Sequence, residues 1–344
     1  MTGLVVTEAE LLAEHDYAEL QVVDGRRLHG GFLADGTYQP PRSKVRGPAI
    51  EAWSAALRAR GGDLLDADAS LLTGPRVPNL DQHRLLLANG HGQTFWNQLT
   101  TTGKIEARGR VLADLPVPDL AGVVVDDITD WAVGHLGRGL LAAHGLDEGG
   151  VAEEEIGGHD AMWFAARDLV FGPDAFDDVE PPERIGRPDP PDRQMPAVTE
   201  EIEGLVSFLM NLLIIEFRAE IGFAITQDVF RTPGLFPGRE AQAEEAAEII
   251  ERIRIDERVH VDSLRLYLGE LRSTRFHTVD GSTIAGDELI DPTWDDLVRW
   301  ATVDQPVLLA RQQTDAIEKR LRAHPESERL LAEFRSLNDH APTL

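Results

Sequence analysis

The sequence predicts a mainly α-helical chain, with a small β-containing region at its N-terminus and further helices at its C-terminus. Apolar residues recur at helical spacing through most of residues 79–276, above all in two long segments, 199–230 and 239–276. Turn signals of the β-hairpin type fall within residues 20–40. With 344 residues and 42% hydrophobic side chains, the chain can bury a large core.

The first 78 residues are predicted to be a separate mixed region. Asp-Gly pairs at 24–25 and 35–36 stand beside short apolar stretches, which is typical of small β-hairpins. The Pro-Pro pair at 40–41 ends the second hairpin. Residues 48–60 then have their apolar side chains on one side and are predicted to form a helix.

Residues 79–276 are predicted to form the central helical bundle. Its first helices are expected after the cap residue Asn79, over residues 120–143 and over residues 152–171. The glycine-rich stretch 145–150 is expected to break the chain between the last two of these helices.

The second half of the bundle begins after the proline-rich, acidic segment 173–196, which is expected to be an extended linker or crossover. Residues 199–230 form the most apolar predicted helix, and a Pro-Gly loop at 232–238 joins it to a long amphipathic helix over 239–276. Residues 277–344 are expected to add an irregular or hairpin stretch and polar C-terminal helices.

Charge and cysteine content exclude several classes of function. The formal net charge of −27 disfavours binding to nucleic acid or to anionic membranes. No cysteine is present, so any metal site must use His, Asp and Glu. The N-terminus lacks a signal-peptide pattern and no apolar run is long enough to cross a bilayer, so we expect a soluble cytoplasmic protein.

Glu216 lies on the apolar side of the first long helix, where it shares a face with Leu209, Leu213 and Phe223. An ionised carboxylate in such surroundings is costly unless a cation or strong hydrogen bonds compensate its charge. Two interpretations are open at this point. Either an arginine from another helix pairs with Glu216, or a metal ion binds it.

Glu257 and His260 form a Glu-x-x-His motif on the apolar face of the second long helix, a spacing that directs both side chains to one point. The loop between the two helices centres near Phe236, which is 20 residues after Glu216 and 21 before Glu257. Equidistant residues of an antiparallel hairpin lie at one height. Two buried carboxylates at one height repel each other without a cation, so the three side chains predict a metal site.

A helix with a Glu followed by a helix with Glu-x-x-His resembles half of the ferritin-like, carboxylate-bridged dimetal superfamily, within residues 119–276. The resemblance implies a four-helix bundle that binds two iron or two manganese ions, or one of each. It also implies an oxidase or oxygenase that uses O2 on a small, largely apolar substrate. Entry is expected through the N-terminal hairpins or residues 145–158.

The ligands from the first half of the bundle are less certain, because no second Glu-x-x-His occurs there. Glu155 and His159 are four residues apart, which still allows one helical face. His135 and His144 flank the level opposite this pair, and Asp127 points inward on the preceding helix. The alternatives are His135 or His144 with Glu155 and His159, or Asp127 with the lower part of the next helix.

Two other classes of function remain open. His159-Asp160, with His135 and Asp228, is compatible with a metal-dependent phosphohydrolase of the His-Asp type, although this leaves the Glu257 and His260 motif unexplained. A non-catalytic metal-binding or scaffold bundle is equally compatible with the ligand types. The long bundle also allows a homodimer.

Overall fold

A computed structural model of the chain describes residues 4–67, 69–188 and 190–340. These residues are mainly helical, with a small N-terminal antiparallel sheet and C-terminal helices, which confirms the predicted fold class. The helices are α1 Glu8–Leu11, α2 Ser43–Ala59, α3 Leu80–Ala88, α4 Gln93–Gly109, α5 Leu140–Gly149, α6 His159–Phe171, α7 Glu200–Phe230, α8 Glu240–Ser273, α9 Gly286–Arg299, α10 Gln305–Leu321 and α11 Ser327–Ser336. The strands are β1 Glu19–Val23, β2 Arg26–Phe32, β3 Tyr38–Gln39, β4 Arg275–His277 and β5 Thr283–Ala285.

The N-terminal sheet has the order β1-β2-β3 and is antiparallel throughout. Asp24 and Gly25 make the first turn with positive φ angles, as the Asp-Gly signal predicts. Two backbone hydrogen bonds, from His29 N to Gly157 O and from Gly157 N to Arg27 O, each 2.9 Å long, attach β2 to the segment before α6. The sheet therefore lies against the bundle rather than apart from it.

The antiparallel hairpin of α7 and α8 is the centre of the bundle, and each helix limit lies within three residues of the predicted one. α8 packs against α7, α6 and α2, and α4 packs against α6 and α5. Thr199 caps α7 by accepting a bond from Ile202 N. The chain between α6 and α7 has no helix or strand in its described residues, as the prolines there predict.

Two hydrophobic cores lie along this hairpin, and polar side chains separate them. Leu213 of α7 and Leu264 of α8 belong to the first core, whereas Phe223 and Ile253 belong to the second. Residues 254–263 of α8 fall between the two, and Asp256, Glu257 and His260 are buried there. Apolar packing on both sides therefore fixes the height of the polar layer.

The helix predicted over residues 120–143 is wrong. Val124 bridges to Phe276 of β4, and Val125 N donates to Arg275 O, so this part is extended. β-branched side chains fit a strand better than a helix. A 3-10 segment follows over Ala132–Arg138, and α5 starts only at Leu140.

The expected break at residues 145–150 occurs only at the last residue of that stretch, because α5 continues through Gly145 to Gly149. A Cβ on Gly145 would lie 2.3 Å from Ala113 N, so this glycine allows close packing rather than a turn. The chain turns instead at Gly150, where φ is +72°. α6 consequently begins at His159 rather than at residue 152.

The C-terminal region confirms the predicted hairpin and helices. β4 and β5 pair antiparallel, and a π-helical turn over Trp300–Asp304 joins α9 to α10. α10 and α11 pack on α3 through a small third core of Leu85, Leu86, Ile317, Leu321, Leu330 and Phe334. None of the helices in the described part of the chain combines the length and hydropathy that crossing a bilayer requires.

Candidate metal centre

Seven acidic and histidine side chains from five helices meet in the polar layer. They are Glu106 on α4, His144 and Glu148 on α5, His159 on α6, Glu216 on α7, and Glu257 and His260 on α8. All are buried except Glu106, which is partly buried. We call this set the acidic-histidine cluster.

The donor atoms of the cluster lie close together around Glu148. Its Oε1 atom is 3.4 Å from His144 Nε2, 3.6 Å from His159 Nδ1 and 3.2 Å from His260 Nδ1. Glu257 contributes Oε1 at 3.1 Å from His159 Nδ1 and Oε2 at 2.9 Å from His260 Nδ1. Glu216 Oε1 is 3.3 Å from His144 Nε2.

These separations suit ligands of a shared cation. At metal–ligand distances of about 2.1 Å, adjacent ligand atoms of an octahedron lie roughly 3.0 Å apart. Two overlapping groups have all their donor atoms within 4.8 Å of one another. The first group is His144, Glu148, Glu216 and His260, and the second is Glu148, His159, Glu257 and His260. Glu148 belongs to both groups, and its two oxygens allow it to bridge two ions.

Two aspartates orient the histidines from outside the cluster. Asp147 Oδ2 is 3.0 Å from His260 Nε2, and Asp256 Oδ2 is 3.4 Å from His159 Nε2. A carboxylate only accepts, so each Nε2 carries the proton and each Nδ1 is left as a ligand atom. Each aspartate directly precedes a cluster glutamate in sequence, and it holds a histidine that belongs to a different helix.

Two arginines balance the charge of Asp147: Arg42, which precedes α2, and Arg46, which lies in α2. Arg42 NH2 lies 2.6 Å from Asp147 Oδ1, and Arg46 NH2 lies 2.5 Å from Asp147 Oδ2. Burial alone would raise the pKa of Asp147, but the two arginines hold it well below its ordinary value. Asp147 is therefore ionised, and it acts as an acceptor for His260.

Asp256 has a different environment. Tyr38 OH donates to Asp256 Oδ2 over 2.9 Å, and His29 Nε2 lies 3.3 Å from the same oxygen. His29, His159 and Asp256 form a third group with donor atoms within 4.8 Å. Because His159 already contacts the cluster through Nδ1, we interpret this group as support for that ring.

The pKa directions show that the cluster attracts positive charge. Burial, followed by repulsion from Glu257 and Glu148, raises the pKa of Glu216 well above its ordinary value. Burial and Glu148 do the same to the pKa of Glu106. Against the effect of burial, neighbouring carboxylates raise the pKa values of His159 and His260 well above the ordinary histidine value. Protons therefore occupy the cluster when metal cations do not.

Several buried atoms of the cluster lack hydrogen-bond partners. Glu148 Oε1 and Glu257 Oε1 lie 3.6 and 3.1 Å from His159 Nδ1, but none of these three atoms makes a hydrogen bond of good geometry among the described residues. Buried polar atoms are nearly always satisfied, so three orphans facing one another indicate a missing binding partner. Within the described chain, no arginine or lysine forms an ion pair with Glu148, Glu216 or Glu257. Arg254, three residues before Glu257 on α8, pairs with Glu220 instead.

The structure brings five of the eight predicted ligands into the cluster: Glu216, Glu257, His260, His159 and His144. Three lie elsewhere. Asp127 is exposed, and its Oδ1 accepts a 3.0 Å bond from Thr129 N in a turn. His135 is buried, but Trp131 O and Val6 N satisfy its two nitrogens. Glu155 is exposed in the loop before α6, with φ at +54°.

Sequence reasoning missed Glu106 and Glu148 as cluster residues. Glu148 is four residues after His144, a spacing that places both on one helical face. That signal was readable, but residues 145–150 were predicted to be a loop. Glu106 follows Ile105 in a polar segment of α4, and no pattern in that segment distinguishes it.

A cavity adjoins the cluster between α7 and α8. Its volume is about 340 Å³, and Glu216 and Glu257 lie at its inner end. Apolar walls come from Leu72, Phe217, Phe223 and Val261, and charged groups come from Glu220, Arg254, Arg258 and Asp262. The expected entrances at the N-terminal hairpins or residues 145–158 do not match this position.

Comparisons with protein-family models, with curated proteins and with solved structures found no match to this chain. We therefore infer function from the side chains of the acidic-histidine cluster and of the cavity beside it.

Proposed function

We propose that this chain is a non-haem dimetal oxidase or oxygenase that binds two iron or manganese ions in the acidic-histidine cluster. The observation that carries the proposal is the pair of overlapping ligand groups that share Glu148 and His260. Carboxylate and imidazole donors without thiolates suit iron and manganese. The proposal includes a ferritin-like arrangement of the ligand helices.

The charge of the cluster supports two ions rather than one. Four carboxylates, Glu106, Glu148, Glu216 and Glu257, carry four negative charges when ionised. Two divalent cations cancel them, and the three histidines then remain neutral as ligands. A single divalent ion would leave two buried negative charges, which is costly in an apolar interior.

Each residue has a definite task in this proposal. His144 and Glu216 would bind one ion, His159 and Glu257 the other, and Glu148 would bridge them. His260 would bind through Nδ1 alone, because its Nε2 faces Asp147. When bound in the reduced state, such a metal pair would supply electrons to O2, and the oxidising equivalents of O2 would then accept electrons from the substrate.

The cavity between α7 and α8 supports a small organic substrate. Apolar walls at Leu72, Phe217 and Val261 favour a largely apolar molecule, and the cavity places it next to Glu216 and Glu257. Both glutamates are buried, so the substrate would meet the cluster with little water present.

The experiment is metal reconstitution followed by oxygen consumption. Anaerobic loading with Fe(II) or Mn(II) should give two ions per chain, and the loaded protein should consume O2 when reduced. Glu257→Gln and Glu148→Gln should lower the metal count and the O2 uptake, whereas the exposed control Glu155→Gln should change neither. Wild-type protein that binds fewer than two ions, or O2 uptake that survives both cluster variants, would contradict the proposal.

The phosphohydrolase alternative receives less support. Asp160 Oδ1 accepts a bond from Ala161 N, and this residue belongs to none of the three metal-compatible groups in the described chain. Asp228 is exposed on α7. Phosphatase turnover that is lost in Asp160→Asn and retained in Glu257→Gln would favour that alternative over ours.

A further inference from the structure

A second cavity, of about 470 Å³, is walled in part by the C-terminal helix α10, and no residue of the acidic-histidine cluster lines it. We call it the arginine cavity. Its walls come from residues 75–78, α4, Arg218 of α7, residues 179–182 and α10. This volume is in the range of cavities that bind small molecules.

Arg76 and Arg218 line this cavity, and neither has a carboxylate partner in the described part of the chain. Arg76 NH2 and Arg218 Nε are buried without any hydrogen-bond partner there. The Arg218 side chain makes one bond, from its NH1 to Gln305 Oε1. Unpaired guanidinium nitrogens that are buried in this way carry a desolvation cost.

The two guanidinium groups also repel each other. Burial, followed by the charge of Arg218, lowers the pKa of Arg76 to about 10. Burial lowers the pKa of Arg218 as well. This chain has 60 acidic residues for 33 basic ones, so a partner carboxylate is easily available to a structural arginine. Two adjacent arginines without one therefore indicate a function other than internal pairing.

The remaining lining residues suit an organic anion. Arg320 stands at the rim, where its NH1 donates to Thr94 Oγ1 over 3.2 Å. Glu180 is the one carboxylate among the described lining residues, and its Oε1 forms an ion pair with Lys104 Nζ at 2.5 Å. Polar groups on α4 and apolar groups on α10 complete the walls: Asn97, Gln98, Thr101, Thr102, Pro306, Leu309 and Ile317.

We propose that the arginine cavity is a binding site for a small organic anion with two or more negative charges, bound between Arg76 and Arg218. A phosphate monoester and a dicarboxylate share this chemistry, and planar guanidinium groups bind either through paired hydrogen bonds. The site is separate from the metal cluster and does not depend on the proposed oxidase activity.

The test is calorimetric titration of the full-length, metal-loaded protein with inorganic phosphate, glycerol 3-phosphate and succinate. At least one probe should bind once per chain. Arg76→Gln and Arg218→Gln should each weaken that binding by about tenfold or more, because each removes a buried charged partner. The control Arg311→Gln, an exposed residue of α10 outside the cavity, should leave it unchanged.

The three probes separate the two chemical sources. Tighter binding of glycerol 3-phosphate than of succinate identifies a phosphate ester as the ligand class, and the reverse order identifies a dicarboxylate. The proposal is overturned if no probe binds, or if binding persists in both arginine variants, as it would for an anion at the metal ions.

Thermal melting without added anion is an independent measurement. An arginine that binds a ligand has no carboxylate partner in the ligand-free protein, and its burial costs free energy. Arg76→Gln should therefore leave the melting temperature unchanged or raise it. A lower melting temperature combined with unchanged probe binding would assign Arg76 a structural role and overturn the proposal.

Discussion

Asp147 Oδ2 of α5 is 3.0 Å from His260 Nε2 of α8, while the buried Arg46 contacts the same oxygen and the buried Arg42 contacts Oδ1. One aspartate thus links the N-terminal region, α5 and α8 at the edge of the acidic-histidine cluster. Asp256 holds His159 in the same way, but without an arginine. The two aspartates therefore have the same role toward a ligand and different roles in stability.

Asp147→Asn should weaken metal binding by about 10–100-fold, because outer carboxylates set the orientation and basicity of ligand imidazoles. It should also lower the free energy of unfolding by about 3–5 kcal/mol, since Arg42 and Arg46 lose a buried charge partner. Chelator competition and urea unfolding measure the two effects.

Asp256→Asn is the matched comparison for this prediction. It should affect metal binding similarly through His159 and cost less stability, because Tyr38 and His29 can remain hydrogen-bonded to an amide oxygen. Equal losses of stability in the two variants would show that the arginine contacts are not what distinguishes the aspartates.

The α7–α8 hairpin was predictable because its signals are local. The apolar periodicity is long, and Pro-Gly residues mark the loop at 232–238, so the relative height of Glu216 and Glu257 followed from counting residues. The structure buries both carboxyls in the polar layer, and the charge of Glu257 helps burial to raise the pKa of Glu216.

The first-half ligands were not predictable in the same way, because tertiary packing decides the structure there. Gly145 is helical since α5 packs closely on Ala113, a contact 32 residues away in sequence. Reading that glycine as a turn placed Glu148 in a loop and moved the expected ligand to Glu155. Glu106 joins the cluster only through the packing of α4 on α5 and α6, which no local pattern encodes.

Gly145→Ala should therefore destabilise the protein, by about 1–3 kcal/mol, because its Cβ would meet backbone rather than a movable side chain. The shift of α5 should also displace His144 and Glu148 and weaken metal binding. Gly204→Ala on α7 is the control. It has open space and an exposed helical position, so it should stabilise the fold by about 0.4–1 kcal/mol. Loss of stability at both positions would argue against a packing role specific to Gly145.

Glu216→Gln should raise the stability of the metal-free protein and weaken its binding of metal. The pKa of Glu216 is raised by burial and by Glu257, so a neutral amide avoids the cost of burying the charge or of taking up a proton on folding, and it should add about 0.5–2 kcal/mol without metal. It should also remove one ligand and lower the metal content, which elemental analysis detects.

Glu220→Gln provides the control for that substitution. Glu220 is one turn further along α7 and pairs with Arg254 at a partly exposed position. Its loss should cost no more than about 1 kcal/mol and leave the metal content unchanged. If both variants gained the same stability without metal, charge repulsion inside the cluster would not be the cause.

Glu270, far along α8 from the cluster, predicts a separate pH dependence of stability. Its carboxyl is buried between Arg60 NH2 and Val133 N, each at 2.9 Å, and burial raises its pKa to about 7 despite both contacts. As the pH rises, the folded protein therefore keeps the proton on Glu270 after the unfolded chain has lost it near the ordinary glutamate pKa of 4.5. The stability that the protonated Glu270 contributes to the fold is fully present below pH 4.5 and is lost as the pH rises through about 7.

The difference in unfolding free energy between wild type and Glu270→Gln should consequently fall between pH 4.5 and pH 8, by at most about 3 kcal/mol. Urea unfolding of both proteins at four pH values across this range measures that difference, and contributions from other titrating groups cancel. A difference that rises with pH would mean that the Arg60 ion pair outweighs burial, so that Glu270 is ionised throughout. A constant difference would mean that its pKa does not change on folding.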